Sequence, residues 1–203
     1  MEGVNVENLD QNLYDISWLI GKPCASPCWN GLEPGVTPRK VSTETAKKLP
    51  FVNSESFRTS NKYGMQSAWL LCKEPTNLTC VNMFFDNGIL ESLWLTPSYE
   101  ITFDEAVKKL GTPDGFLVKP MYPNAGGCSL DVIWIKQRLI LRHIEGVIGL
   151  FDFRTDLCTK VRQNNGKLPS GIRVEGVIIN NPSEMESIFE KDIIQIWKGF
   201  MQD

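Results

Sequence analysis

One histidine, His143, occurs among the 203 residues of this chain. Histidine is the side chain whose proton moves near neutral pH, so its scarcity excludes most proton-shuttling sites. A serine-histidine-aspartate triad would have to use His143, in LILRHIEG, and no GxSxG turn accompanies it. The chain also lacks a GxxxxGK(S/T) loop, GxGxxG, HExxH and a calcium loop, so no cofactor or metal is expected. CxxC spacing is missing, and with one histidine a zinc site has too few ligands. Lysine and arginine never run longer than a pair, and the formal net charge is −3. Nucleic acid is therefore not an expected partner, because its binders need a basic surface to displace counterions. No apolar run approaches the roughly 18–20 residues that span a bilayer. Met1-Glu2-Gly3-Val4 lacks the basic start and apolar centre of a signal peptide. Two settings fit: a cytosolic protein, or a mature fragment whose export segment has been removed.

Six cysteines bear on that choice: Cys24, Cys28, Cys72, Cys80, Cys128 and Cys158. They are even in number and fall as three sequence-local pairs. Disulfides would place the protein in an oxidising, extracytoplasmic compartment. The alternative is six buried thiols, since cysteine packs as a small apolar residue. Cys72 and Cys80 bracket a loop between two expected strands, which makes theirs the favoured bridge. Asn77-Leu78-Thr79 on that loop is a formal glycosylation sequon.

Periodicity predicts an α+β chain. Leu9, Leu13, Ile16 and Ile20 recur at helical spacing and predict an amphipathic helix ending at Gly21-Lys22-Pro23. Thr37 is a candidate cap, with Pro38 at the first helical position, for a helix to about Leu49 that buries Val41, Thr45, Ala46 and Leu49. Met65–Lys73, Thr79–Asp86 and Ile89–Thr96 have the aromatic and branched composition of strands. Asn87-Gly88 predicts a two-residue turn. The register expected from it pairs Phe85 with Leu90, Met83 with Ser92 and Val81 with Trp94 on a buried face. Phe84, Asn82, Glu91 and Leu93 then share the opposite, mixed face.

ITFDEAVKKLGTPD, residues 101–114, is the best-defined element. Thr102 and Glu105 form a capping box, and Gly111 and Pro113 stop the helix. Strands are expected over Phe116–Met121, Leu130–Ile135, Leu139–Ile144, Val147–Phe153 and Ile172–Ile179. Asn181-Pro182-Ser183-Glu184 starts a last helix, whose apolar stripe is Met185, Ile188, Phe189, Ile193, Ile196, Trp197 and Phe200.

A helix followed by antiparallel strands thus occurs twice, over 34–96 and 101–179. The expected fold is α+β, with two tandem helix-plus-antiparallel-sheet repeats and the helices layered on one face of the sheet. The expected organisation is a helix and connector over 1–27, repeat 1 over 28–98 and repeat 2 over 99–203. CWNGLEPGVT (28–37), KKLPFV (47–52) and ITFDEAVKKLGTPD (101–114) resemble a group of uncharacterised bacterial exported proteins and lipoproteins. The helix-then-LG-x-P-D signature is similar to the repeat of β-lactamase inhibitor protein and of the small outer-membrane assembly lipoproteins. The resemblance implies an exported protein that uses a sheet surface for binding. Nothing matches the inhibitory loops of the inhibitor. No lipobox is present, so a lipid anchor would need a cysteine upstream of Met1.

The expected function is non-enzymatic: an exported binding protein with a protein or cell-envelope partner. Trp69, Trp134 and Phe84 are the candidate binding residues, as sheet aromatics that could face outward. For Trp94, core packing is the expected role. The rival is an extracytoplasmic hydrolase or thiol enzyme using His143 or a free cysteine. Glu145, Asp152 and Asp156 could form a carboxylate pair for such an enzyme, although loop acids are ordinarily solvated.

Overall fold

The computed structural model describes residues 8–62, 65–73, 78–120, 128–145, 157, 160–161, 167–191 and 194–201. Cys158, Asn77 of the sequon, the expected 147–153 strand, the Asp152/Asp156 carboxylates, the Phe189 side chain and Ile193 lie outside the described residues.

Nine strands form one antiparallel sheet: β1 (Val52–Lys62), β2 (Met65–Cys72), β3 (Thr79–Asp86), β4 (Ile89–Leu95), β5 (Gly115–Pro120), β6 (Cys128–Trp134), β7 (Leu139–Glu145), β8 (Gly176–Asn180) and β9 (Gln195–Ile196). The spatial order is β1-β2-β3-β4-β8-β7-β6-β5-β9. This corrects the expectation of two helix-plus-sheet repeats. β8 lies between β4 and β7, pairing Ser92 with Asn180 and Leu95 with Val177 on one side, and Leu139 with Ile179 on the other. Both meanders end on the same strand, so their inner edges are satisfied inside one continuous sheet.

The helices are short and lie on both faces, which corrects the expected one-sided layer. They include α1 (Ser17–Ile20), α2 (Arg39–Lys47), α3 (Phe103–Leu110) and α4 (Pro182–Lys191). Ala46 of α2 and Phe103 and Ala106 of α3 join the main core with Leu70, Met83, Leu93, Leu141 and Ile179. Met185 and Ile188 of α4 pack instead with Leu117, Ile133, Ile140 and Ile178, which point from the other side of the same strands.

The expected helix over Leu9–Ile20 shortens to the single turn of α1. Local side-chain bonds compete with helix there. The Asn12 backbone N–H donates to Asp10 Oδ1 (2.9 Å), and the Ser17 N–H and Oγ–H both donate to Asp15 Oδ1 (3.0 and 2.6 Å). Thr37 does not cap α2; its Oγ1 accepts from the Glu33 N–H (2.8 Å), and Pro38 stands at the cap without a side-chain bond. The buried side of α2 is Ser42 and Ala46, whereas Val41 is 48% exposed.

α3 forms as the sequence predicts. Glu105 Oε2 accepts from the Thr102 N–H (2.9 Å), Thr102 Oγ1 accepts from the Glu105 N–H (3.4 Å), and Gly111 ends the helix at φ 86°. Thr102→Ala is expected to lower the unfolding free energy by about 1 kcal/mol. Thermal melts of the two proteins would show this; identical midpoints would mean the cap contributes nothing. Asn181 caps α4 by accepting from the Glu184 N–H (2.7 Å), but the helix does not reach Ile196, Trp197 and Phe200 as expected: Ile196 lies in β9, and Trp197 and Phe200 pack against the main core. Disulfides join Cys24 to Cys28 and Cys72 to Cys80, with Cα separations of 5.6 and 4.7 Å. Cys128 is disulfide-bonded as well.

Candidate binding groove

The hairpin of β3 and β4 sets up the groove. Asn87 and Gly88 both have positive φ (47° and 78°), as a two-residue primed turn requires, and Asp86 pairs with Ile89. Phe85 still pairs with Leu90, as the turn predicts. The register then slips by one residue, so that Phe84 faces Ser92, Met83 faces Leu93 and Asn82 faces Trp94. Glu91 is the extra residue of this β-bulge. Its carbonyl accepts from the Asn181 N–H (2.9 Å), which ties the bulge to the start of α4.

A one-residue slip moves every later side chain to the opposite face. Leu93 and Leu95 therefore enter the main core, at 0% and 3% exposure. Trp94, expected in that core, stands on the other face and is 43% exposed. Pairing it with Asn82 and Ile178 places it in the middle of the sheet, on the face that α4 covers in part.

An open groove of about 340 Å³ lies between Trp94 and α4. Phe84 and Trp94 form one wall, with ring centroids 5.2 Å apart and tilted by 57°. Glu184 and Ile188 of α4 contribute the other. Ile140, Ile178, Ser92 and Asn180 supply the floor.

The two ends differ in charge. At one end Arg142 donates from Nε and Nη2 to the two carboxylate oxygens of Asp131, at 2.6 and 2.7 Å. Asp131 is 3% exposed, and the guanidinium carbon lies 5.6 Å from the Trp94 ring centre. Burial alone would lower the Arg142 pKa, but the hydrogen bonds and charge of Asp131 outweigh it and raise it above the usual value. Arg142 is thus a fixed cation stacked on one side of Trp94. At the other end, burial raises the Glu91 carboxyl above its ordinary pKa, and the nearby Glu184 and Asp86 carboxylates raise it further. That end carries excess negative charge.

Of the sequence-predicted residues, Phe84 lines the groove. Trp69 lies half-buried on the same open face, two strands from Trp94 and paired with Asn82, but outside the groove. Trp134 is not an outward-facing aromatic. It is 2% exposed in the main core, and its indole N–H donates to the Gly111 carbonyl (3.0 Å) at the end of α3. Cross-strand pairing with Leu139 puts it on the core side of β6.

Trp94, the Arg142–Asp131 pair and Asn180 belong to the groove and escape the sequence reading. A signal for the bulge is present: the apolar spacing in LESLWL passes from Leu90 to Leu93, three residues rather than two. Asp131 and Arg142 each follow apolar residues in a strand (Leu130 and Leu141), where a buried charge is stable only when partnered.

His143 lies away from the groove. Its register partner is Leu130 of the main core, its Nδ1 is 3.0 Å from the Arg173 carbonyl, and Glu175 Oε2 is 3.6 Å away. None of the described cysteines is a free thiol. No group of histidine, cysteine and acidic side chains that could hold a metal occurs among the described residues. Among them, too, no helix is long and apolar enough to cross a membrane. No family model, curated protein or solved structure matches the chain.

Proposed function

We propose that this is a non-enzymatic binding protein whose groove between Trp94 and α4 engages a segment of a partner protein. One observation carries the reading: a tryptophan at mid-sheet is left 43% exposed beside Phe84, on a face that α4 covers in part. Large aromatics gain binding energy when a partner excludes water from them, and tryptophan dominates such contacts. The groove is bounded on two sides and open along its length, which suits an extended or single-helix segment.

The disulfides support an extracytoplasmic setting, because cytosolic thiols are kept reduced. An exported protein with a cell-envelope partner, lipid-anchored or not, belongs to the same reading. A hydrolase or thiol enzyme is the less supported alternative: His143 lies outside the groove and no described cysteine is free.

Selection of a displayed random-peptide library on the immobilised protein tests the binding reading. Peptides enriched on the wild type are expected to lose at least about tenfold in affinity on Trp94→Ala, the order expected for truncating a central aromatic. Trp94 is exposed, so the variant should keep its fold, checked by its melting curve. Peptides that bind both proteins equally, or no enrichment at all, would count against the groove.

A further inference from the structure

The acidic end of the groove holds two polar side chains that the protein itself does not use. Ser92 and Asn180 face each other across β4 and β8 and line the groove floor. They are 8% and 6% exposed, yet neither side chain hydrogen-bonds to another group among the described residues. Their polar atoms are reached from the groove, so an occupant there meets donors and acceptors that only water would otherwise satisfy. Glu91, on the bulge, and Glu184, in the first turn of α4, line the groove with them. The same Asn181 binds both positions, through its N–H to the Glu91 carbonyl and its Oδ1 to the Glu184 N–H. Phe84, the cross-strand partner of Ser92, closes the side next to Trp94.

Carboxylates held near one another, unused acceptors on the groove floor and aromatic faces beside them suit a cation on an apolar stem. An anionic group would meet repulsion here, and a purely apolar one would leave Ser92 and Asn180 unpaired. We propose that this end of the groove receives a lysine side chain of the partner segment, its ammonium on Glu91 and Glu184 over Asn180 and its methylenes against Phe84 and Trp94. The inference rests on the binding reading above and gives the partner its chemistry: a basic segment. An ammonium offers three donors, enough for both carboxylates and the Asn180 carbonyl together. The ring faces add cation–π attraction.

Hexalysine and hexaglutamine peptides serve as probes, titrated calorimetrically at low ionic strength. Hexalysine is expected to bind and to shift the Asn180 carboxamide resonances in ¹⁵N spectra. The Glu91→Gln/Glu184→Gln variant should bind it about tenfold more weakly, as charged hydrogen bonds are lost. That variant removes like-charge repulsion and should fold normally. Glu44→Gln/Glu55→Gln makes the same change in net charge on exposed residues outside the groove and should bind hexalysine like the wild type. Equal weakening of both variants would reduce the effect to net charge and overturn the inference. Hexaglutamine binding as tightly as hexalysine would overturn it too while leaving the groove a peptide site. No binding by either peptide would overturn the inference, and the library selection would then decide the groove reading separately.

Discussion

Replacing Asp131 with leucine is expected to lower the unfolding free energy by about 3 kcal/mol, the larger part of it from Arg142 left without its partner. Asp131 accepts both hydrogen bonds of the guanidinium and is almost wholly buried. The Arg142 side chain is 26% exposed, so water relieves part of the loss, and the effect should fall at the lower end of the range for broken buried pairs. Leucine at 131 would meet Leu117 and the aliphatic part of Arg142 across the strands. Adding Arg142→Leu should therefore recover most of the stability, since two apolar residues replace two charges. Urea titrations of the two single variants and the double variant give the coupling directly. A single Asp131→Leu protein within about 0.5 kcal/mol of the wild type would mean the pair is not structural. The pair has a second consequence, for the groove. With its charge matched by Asp131, Arg142 adds little net charge to the groove, whose other charged lining residues are Lys119, Glu91 and Glu184.

The second large effect concerns Cys72 and Cys80. Their bridge closes a loop of nine residues between β2 and β3, and chain entropy assigns such a loop about 2.5 kcal/mol. Both cysteines are buried in the main core, at 1% and 5% exposure, so small voids add to the cost of Cys72→Ala/Cys80→Ala. The double variant should lose about 2–3 kcal/mol in urea, and dithiothreitol should destabilise the wild type by about that much more than the variant, which keeps the Cys24–Cys28 and Cys128 bridges. The same comparison separates bridge from packing. If the reductant lowers both proteins equally, the Cys72–Cys80 bridge is absent in solution and the extracytoplasmic setting loses that support.

Features carried by a few neighbouring residues were legible in the chain. Thr102 and Glu105 specify their capping box, Asn181 its cap and Asn87-Gly88 its turn, because the partners lie within a few positions of each other. The paired cysteines at 24/28 and 72/80 were legible for the same reason. The N-terminal helix was misread because Asp10 and Asp15 bind nearby backbone N–H groups, and apolar periodicity does not register that competition.

The sheet's continuity and its open face depend on residues far apart in sequence. Nothing local shows that β8 inserts between β4 and β7, because either strand alone has an edge that another could satisfy. The Glu91 bulge is the sharper case. Strict alternation through its residues would put Trp94 and Ser92 on the core face, opposite to where the bulge places them. Tertiary packing decides it: Leu93 and Leu95 fill the core beside Ile179 and Val177, and that gain outweighs one interrupted pairing. By itself the sequence determined the turns, the caps and the local bridges, where the interacting groups are neighbours in the chain. Only the tertiary structure decided which aromatic stays uncovered and which polar side chains line the groove, because both depend on how distant strands align.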